Sequence, residues 1–220
     1  MNTRRNQLEQ SPSDFLDWIW SEKHKGPGFV SWLNSDEKLF WISGKQASGK
    51  STLMHHISCR ERTRCQSILE AAHHTSWKAL YFFFDLRGGQ GVTNNLEGLF
   101  RSLLAQVYGM FSNSIPAVLK ERNGIEKIKY MTILEMHCRL KDTINATPGG
   151  LCIFIDGLDE FDDSYGNLVD LIRGLTVEPQ IKICMASRPE LDLVSALAGV
   201  PRSVCKIGTR ARFRIMLGIP

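Results

Sequence analysis

The sequence predicts an α/β fold in which a parallel β-sheet carries helices on both faces. Three observations predict it. Short continuous apolar runs alternate with segments whose apolar residues recur every three or four positions, and parallel strands need such crossover helices to connect them. One run, LFWI at 39–42, passes directly into GKQASGKS at 44–51, a loop with two glycines, a lysine and a hydroxyl. Another, LCIFI at 151–155, ends in an acid, Asp156.

Taken in order, the elements begin with SPSD at 11–14, where Ser11 can cap a short helix opened by Pro12 and running through Phe15, Trp18 and Ile19. KGPG at 25–28 breaks it, and Phe29 with Trp32-Leu33 reads as a single docking turn. A strand comes next, over 38–43. A helix is expected from Gly49 to about Ser58, and a more polar one through Ile68-Leu69 to Ala72. His55 and His56 read as surface or rim histidines. The run ALYFFF at 79–84 is too short for most buried helices and is rich in aromatics, which marks a strand covered on both faces. Leu96, Leu99, Phe100, Leu103, Leu104 and Val107 make an amphipathic helix with Thr93 or Asn94 as cap. Ile133, His137, Leu140 and Ile144 repeat the pattern more weakly. After the strand at 151–155, Leu168, Leu171, Ile172 and Leu175 mark another helix, 181–186 a fourth strand, and 190–198 a helix stopped by Gly199 and Pro201.

Composition bounds the class. The chain has 220 residues, 43% of them hydrophobic and 23% charged, which suits one soluble domain with a short extension and excludes a disordered chain. No apolar stretch approaches the roughly 20 residues of a membrane span, and the polar N-terminus leads to no signal-peptide core. An intracellular, cytoplasmic location with no membrane partner is expected. The six cysteines include no C-x-x-C pair, and Cys152 and Cys184 lie in the most apolar runs, as buried thiols of a reducing compartment do. Cys59, Cys65, His73 and His74 do not have the spacing of a zinc site. The net charge of +4 comes from the end of the chain: five of the 27 basic residues lie after position 200, so 22 face the 23 acids of the remainder. That distribution disfavours a nucleic-acid partner.

The chemistry sits at strand ends. G-x-x-x-x-G-K-S between a buried strand and a helix is a phosphate-binding loop, whose glycines let successive N–H groups point inward beside the positive end of a helix. Gly44, Lys45, Gln46, Ala47, Ser48, Gly49, Lys50, Ser51 and Thr52 are the predicted nucleotide contacts. Lys50 would reach the β- and γ-phosphates, and Ser51 would place its hydroxyl on Mg²⁺. Asp156, at the tip of an apolar strand where a lone acid is costly to bury, is the expected second magnesium ligand. Asp159 or Glu160 could orient or deprotonate a water attacking the γ-phosphate. Arg188, at the mouth of the fourth strand, is placed to sense that phosphate, the structural alternative being an ion pair with Glu190 or Asp192. These parts specify a P-loop NTPase three-layer sandwich. The strand at 79–84 comes in sequence between the loop and the Asp156 strand, so the Walker B strand is expected to be separated from the P-loop strand by an inserted strand. A GTPase is the nearest competitor, since DLRG at 85–88 matches D-x-x-G, but no N-K-x-D occurs after it to read guanine. ATP is therefore favoured over GTP.

Together the segments FWISGKQASGKSTLM, LYFFFDLRGG…LEGLFRSLLAQV, CIFIDGLDEFD and ICMASRPE resemble the NACHT domain of signal-transducing (STAND) NTPases, in the fungal version labelled nephrocystin-3-like. The similarity covers roughly residues 15–197. It implies ATP or GTP with Mg²⁺, slow hydrolysis used as a switch, and self-association or association with full-length NACHT proteins. It implies further that Asp156 binds Mg²⁺, that an acid of Asp159-Glu160 assists hydrolysis, and that Arg188 is the sensor. The expected organisation is a helical leader over 1–34, the NTPase domain over 35–200 and an atypical basic tail over 201–220. Such proteins usually continue into a helical domain and a winged helix, so the different character of the tail reads as a truncated gene product. Without that lid, weak NTPase activity or none is expected, and the alternative function is a non-catalytic interaction or scaffold fragment.

Overall fold

Hydrophobic runs that the sequence marks as strands assemble, in the computed structural model, into one sheet; the structure describes residues 16–21, 28–84, 95–111, 131–161 and 163–205. The strands are β1 (Leu39–Ser43), β2 (Trp77–Phe83), β3 (Gly150–Asp156), β4 (Ile181–Ser187) and β5 (Arg202–Val204), in the order β2-β3-β4-β1-β5 and parallel at every pairing. Every residue of β1, β3 and β4 is buried, as central strands covered on both faces must be. β4 is the strand inserted between β1 and β3. The strand intervening in sequence, β2, lies at the edge instead.

Side chains alternate between two cores with the period of two that a strand imposes. One face presents Trp41, Leu80, Phe82, Ile153, Ile155, Ile183 and Met185 to α4 (Leu96–Met110), α5 (Ile133–Ala146), α6 (Tyr165–Leu175) and α7 (Leu191–Ala196). The other presents Phe40, Ile42, Ala79, Phe154, Cys184 and Ala186 to α1 (Phe29–Leu33), α2 (Lys50–His55) and α3 (Arg62–His73). Each fully buried large side chain contributes about 1.5–3 kcal/mol relative to exposure. The described leader residues belong to this second core: Trp32 stacks on Phe40 at 5.3 Å, and Phe29 meets both Trp20 and Phe40 edge-on.

Several local expectations change. The helix after the loop gives way at His56 to a π-helical turn, His56–Arg60, closed by Glu61 N–H on His56 O at 2.8 Å. The wider turn rotates the residues around it, and His55 and His56 are buried, at 3% and 1% exposure, rather than on the rim. The cap of α4 is Asn95, whose Oδ1 accepts Gly98 N–H at 2.9 Å; Thr93 and Asn94 lie outside the described residues, as do Ser11 and the DLRG segment. β5 has no counterpart among the expected elements. Among the described residues no helix is long and apolar enough to cross a membrane.

Candidate functional site

Parallel register brings the tips of β1, β4 and β3 side by side: Ser43 pairs with Ser187, and Asp156 with Ala186. The segments that leave these three tips therefore meet in space. After β1 the loop of residues 44–49 curls back on itself, with Ser48 N–H on Lys45 O at 3.1 Å and Gly44 N–H on Ser187 O at 3.3 Å. Gly49 has φ of +86°, left-handed backbone that suits a residue without Cβ, and its carbonyl accepts the Leu53 N–H of α2. Gly44 is required for a different reason: a Cβ there would stand 2.6 Å from Ser48 Oγ. Lys45, Gln46 and Ala47 are exposed, Ser48 is buried, and Gly49, Lys50, Ser51 and Thr52 are half-buried.

The Lys50 ammonium donates to Gly44 O at 2.6 Å, to Lys45 O at 2.9 Å and to Ser48 Oγ at 3.4 Å. Burial lowers its pKa, and the charges of Asp159 and then Asp156 oppose that shift. The lysine after β1 thus feels both Asp156 at the tip of β3 and Asp159 just beyond it. Asp156, the last residue of β3, is 1% exposed. Beyond it Leu158–Glu160 forms a single 3₁₀ turn that carries Asp159 and Glu160.

Arg188 comes directly after β4 and pairs with Asp159, not with Glu190 or Asp192. Its N–H donates to Asp159 Oδ1 at 2.8 Å and its Nε–H to Oδ2 at 2.5 Å. The hydrogen bond to Asp159 is the main cause that raises the guanidinium's pKa. The Tyr165 hydroxyl closes the turn from outside by donating to Asp159 O at 3.4 Å. The structure therefore gathers Lys50, Asp156, Asp159 and Arg188 at one end of the sheet, with Ser51 and Thr52 in the first turn of α2.

Residues 15–188 match the family described as Nephrocystin 3, N-terminal. The chain belongs to that family. Among solved structures, this nephrocystin 3 N-terminal domain is similar to the ORC1 protein of Aeropyrum pernix, solved in complex with DNA, with a TM-score of 0.52 and 13% identity over 99% of this chain and 49% of that one. It is also similar to Cdc6p from Pyrobaculum aerophilum, with a TM-score of 0.47 and 11% identity over 99% of this chain and 49% of that one. No curated protein matches the chain. It spans about half the length of each of these two proteins. At 13% identity the likeness to the ORC1 protein concerns the fold, which is the three-layer α/β fold of the P-loop NTPases.

The residues of the nephrocystin 3 domain's loop and strand tips fit a magnesium-bound polyphosphate. A hydroxyl and a carboxylate are the oxygen donors that Mg²⁺ takes, and the loop's closed curl, in which Gly44 leaves no room for a Cβ, is the backbone form that turns amides toward an anion. Sequence reasoning missed the lower support of this loop. Trp41 Nε1–H donates to Ser187 Oγ at 2.9 Å, Arg202 Nε–H donates to Ser43 Oγ at 2.6 Å, and Cys205 touches the loop itself. No signal pointed to Arg202 and Cys205, because residues 202–205 form no apolar run and no motif.

Proposed function

We propose that this domain binds Mg·ATP as a signalling switch of the NACHT type, with slow hydrolysis. The observation that supports it best is the convergence of Lys50 with Asp156 and Asp159 from separate strands at the mouth of the loop. Loop amides and the Lys50 ammonium hold the phosphate tail, the lysine exchanging its bonds to Gly44 O and Lys45 O for phosphate oxygens. Ser51 and Asp156 are the residues that would hold magnesium, whose contribution when bound is to neutralise charge on the β- and γ-phosphate oxygens.

Asp159 or Glu160, both carried on the turn after β3, orients or deprotonates the attacking water. Arg188 senses the γ-phosphate by moving its guanidinium from Asp159 to the nucleotide. α7 begins at Leu191, three residues on, so that exchange acts directly on the next helix. ATP is preferred to GTP because the sequence carries no N-K-x-D.

Thermal unfolding with Mg·ATP, Mg·ADP and Mg·GTP tests the reading. A ligand that binds only the native state stabilises it by about 2.7 kcal/mol at a hundred times its dissociation constant. Lys50→Ala abolishes the shift. A wild-type protein that no nucleotide stabilises overturns the proposal.

A further inference from the structure

Cys205 sits immediately after β5 and is 1% exposed. Three of its groups meet the phosphate loop or the residue before it. Its N–H donates to Ser43 O at 2.7 Å, and its Sγ–H donates to Ser48 O at 3.3 Å. Its own carbonyl lies where a Cβ on Gly44 would approach within 2.9 Å. β5 holds this residue in place from its other end: the Arg202 guanidinium stacks 4.3 Å over the Trp41 ring while its Nε–H is bonded to Ser43 Oγ.

The thiol contact has a directional consequence. In a trans peptide the C=O and the following N–H point in opposite directions, so fixing the Ser48 carbonyl fixes the Gly49 amide as well. The Ser48 carbonyl is turned toward a buried thiol, and the Gly49 N–H is turned the other way, away from that thiol. Ser48 is 2% exposed, so its carbonyl cannot rely on bulk water and needs a donor from the protein. The Cys205 thiol is that donor.

We infer that Cys205 is a positioning residue of the phosphate loop, its thiol holding the Ser48–Gly49 peptide with the Gly49 amide presented to a phosphate oxygen. The inference rests on the nucleotide-binding reading above. It adds that the sheet's edge strand, outside the sequence motif, sets the aim of one loop amide. Because the effect lies at the phosphates, it is the same for a nucleotide and for a bare polyphosphate.

Calorimetric titration of the whole chain with Mg·ATP and with inorganic tripolyphosphate tests this, using Cys205→Ala, Cys205→Val and Cys205→Ser. Alanine and valine both remove the donor, one leaving a small space and the other filling it, so that one remains usable if the other impairs folding. Both weaken either ligand by about 5- to 10-fold, the loss of one amide's aim and of a weak S–H···O bond. Serine keeps an O–H donor and recovers affinity to within about 3-fold of wild type. This pattern tracks donor capacity and not volume, and a purely packing role would not produce it. Wild-type affinity in the alanine or valine variant, or a serine variant as weak as alanine, overturns the inference and leaves the nucleotide reading standing. A wild-type chain that binds neither ligand overturns that reading, and this inference with it.

Discussion

Arg188 holds Asp159 by two bonds, one from its backbone amide and one from its guanidinium, although 29 residues separate them in the chain. The carboxylate's side chain is only 5% exposed while that of the arginine is 36% exposed. The pair joins the tip of β4 to the turn after β3. The two strands that lead to Arg188 and to Asp156 are therefore tied at their mouths as well as along their ladders.

Asp159→Asn should destabilise the protein by about 1–3 kcal/mol in urea unfolding. The amide can accept one of the two bonds, but its NH₂ then faces a donor, and a buried group is left badly paired. A double-mutant cycle with Arg188→Ala should give a coupling of about 1 kcal/mol, kept modest because the guanidinium remains partly solvated. Coupling near zero would mean that the backbone N–H alone holds the acid.

Lys182 supplies a prediction with a pH signature. It lies near the start of β4, 1% exposed, and its ammonium donates to Trp32 O at 2.9 Å, Ser35 O at 2.7 Å and Glu37 O at 2.7 Å, clasping the segment between α1 and β1. Burial is the largest cause that brings its pKa from 10.5 down to about 8. With the native pKa below the unfolded one, the unfolded chain binds more protons between pH about 8 and 10.5, and stability rises with pH across that window. Lys182→Met should cost about 2–3 kcal/mol at pH 7 by stranding three carbonyls. The gap to wild type should widen from pH 8 to 10, and denaturant titrations at the two pH values measure it.

The parts of this architecture that were legible in the sequence are those encoded locally. Leu39-Phe40-Trp41-Ile42 and Leu151 to Ile155 announce buried strands because a fully covered strand has no solvent face to mark with polar residues. The loop was legible because its spacing is the geometry. Arg202-Ser203-Val204 was not, since β5 exists only through its pairing with β1 and its three residues are half-buried or exposed. The Arg188–Asp159 bond was missed for want of any local signal, and nearer acids, Glu190 and Asp192, offered themselves as partners. Lys182 carries no local signal of its burial, which is explained by the three carbonyls that converge on it from outside the strand.

The thiols should separate by reactivity. Cys138 is exposed, Cys59 half-buried, and Cys65, Cys152, Cys184 and Cys205 are buried, with burial the main cause that pushes the Cys152 and Cys184 thiols well above their ordinary range. Thiolate is the reactive form. An aromatic disulfide reagent at pH 8 should therefore label Cys138 rapidly and Cys59 more slowly, and reach the other four only in denaturant. Fast labelling of a third thiol in the folded protein would contradict this arrangement.

The β2 edge of the sheet is covered at Trp77 and Tyr81 by side chains reaching over it from both layers. From α4, Gln106 donates through Nε2 to Tyr81 O at 2.8 Å and accepts Tyr81 N–H on Oε1 at 3.1 Å, as a neighbouring strand would. From α3, Gln66 Nε2–H donates to Trp77 O at 2.9 Å, and Glu70 Oε1 accepts Trp77 N–H at 3.1 Å. An uncovered edge invites pairing with another chain. Gln106→Ala should cost about 1–2 kcal/mol and raise self-association, measured by light scattering at rising concentration. Gln106→Glu should be worse at pH 7, because a carboxylate then faces the Tyr81 carbonyl with no hydrogen to donate. Its deficit should shrink as pH falls through the carboxyl range, where the protonated acid can again donate and accept as the amide does. A glutamate variant that matches alanine at both pH values would mean that the Tyr81 carbonyl does not depend on this donor.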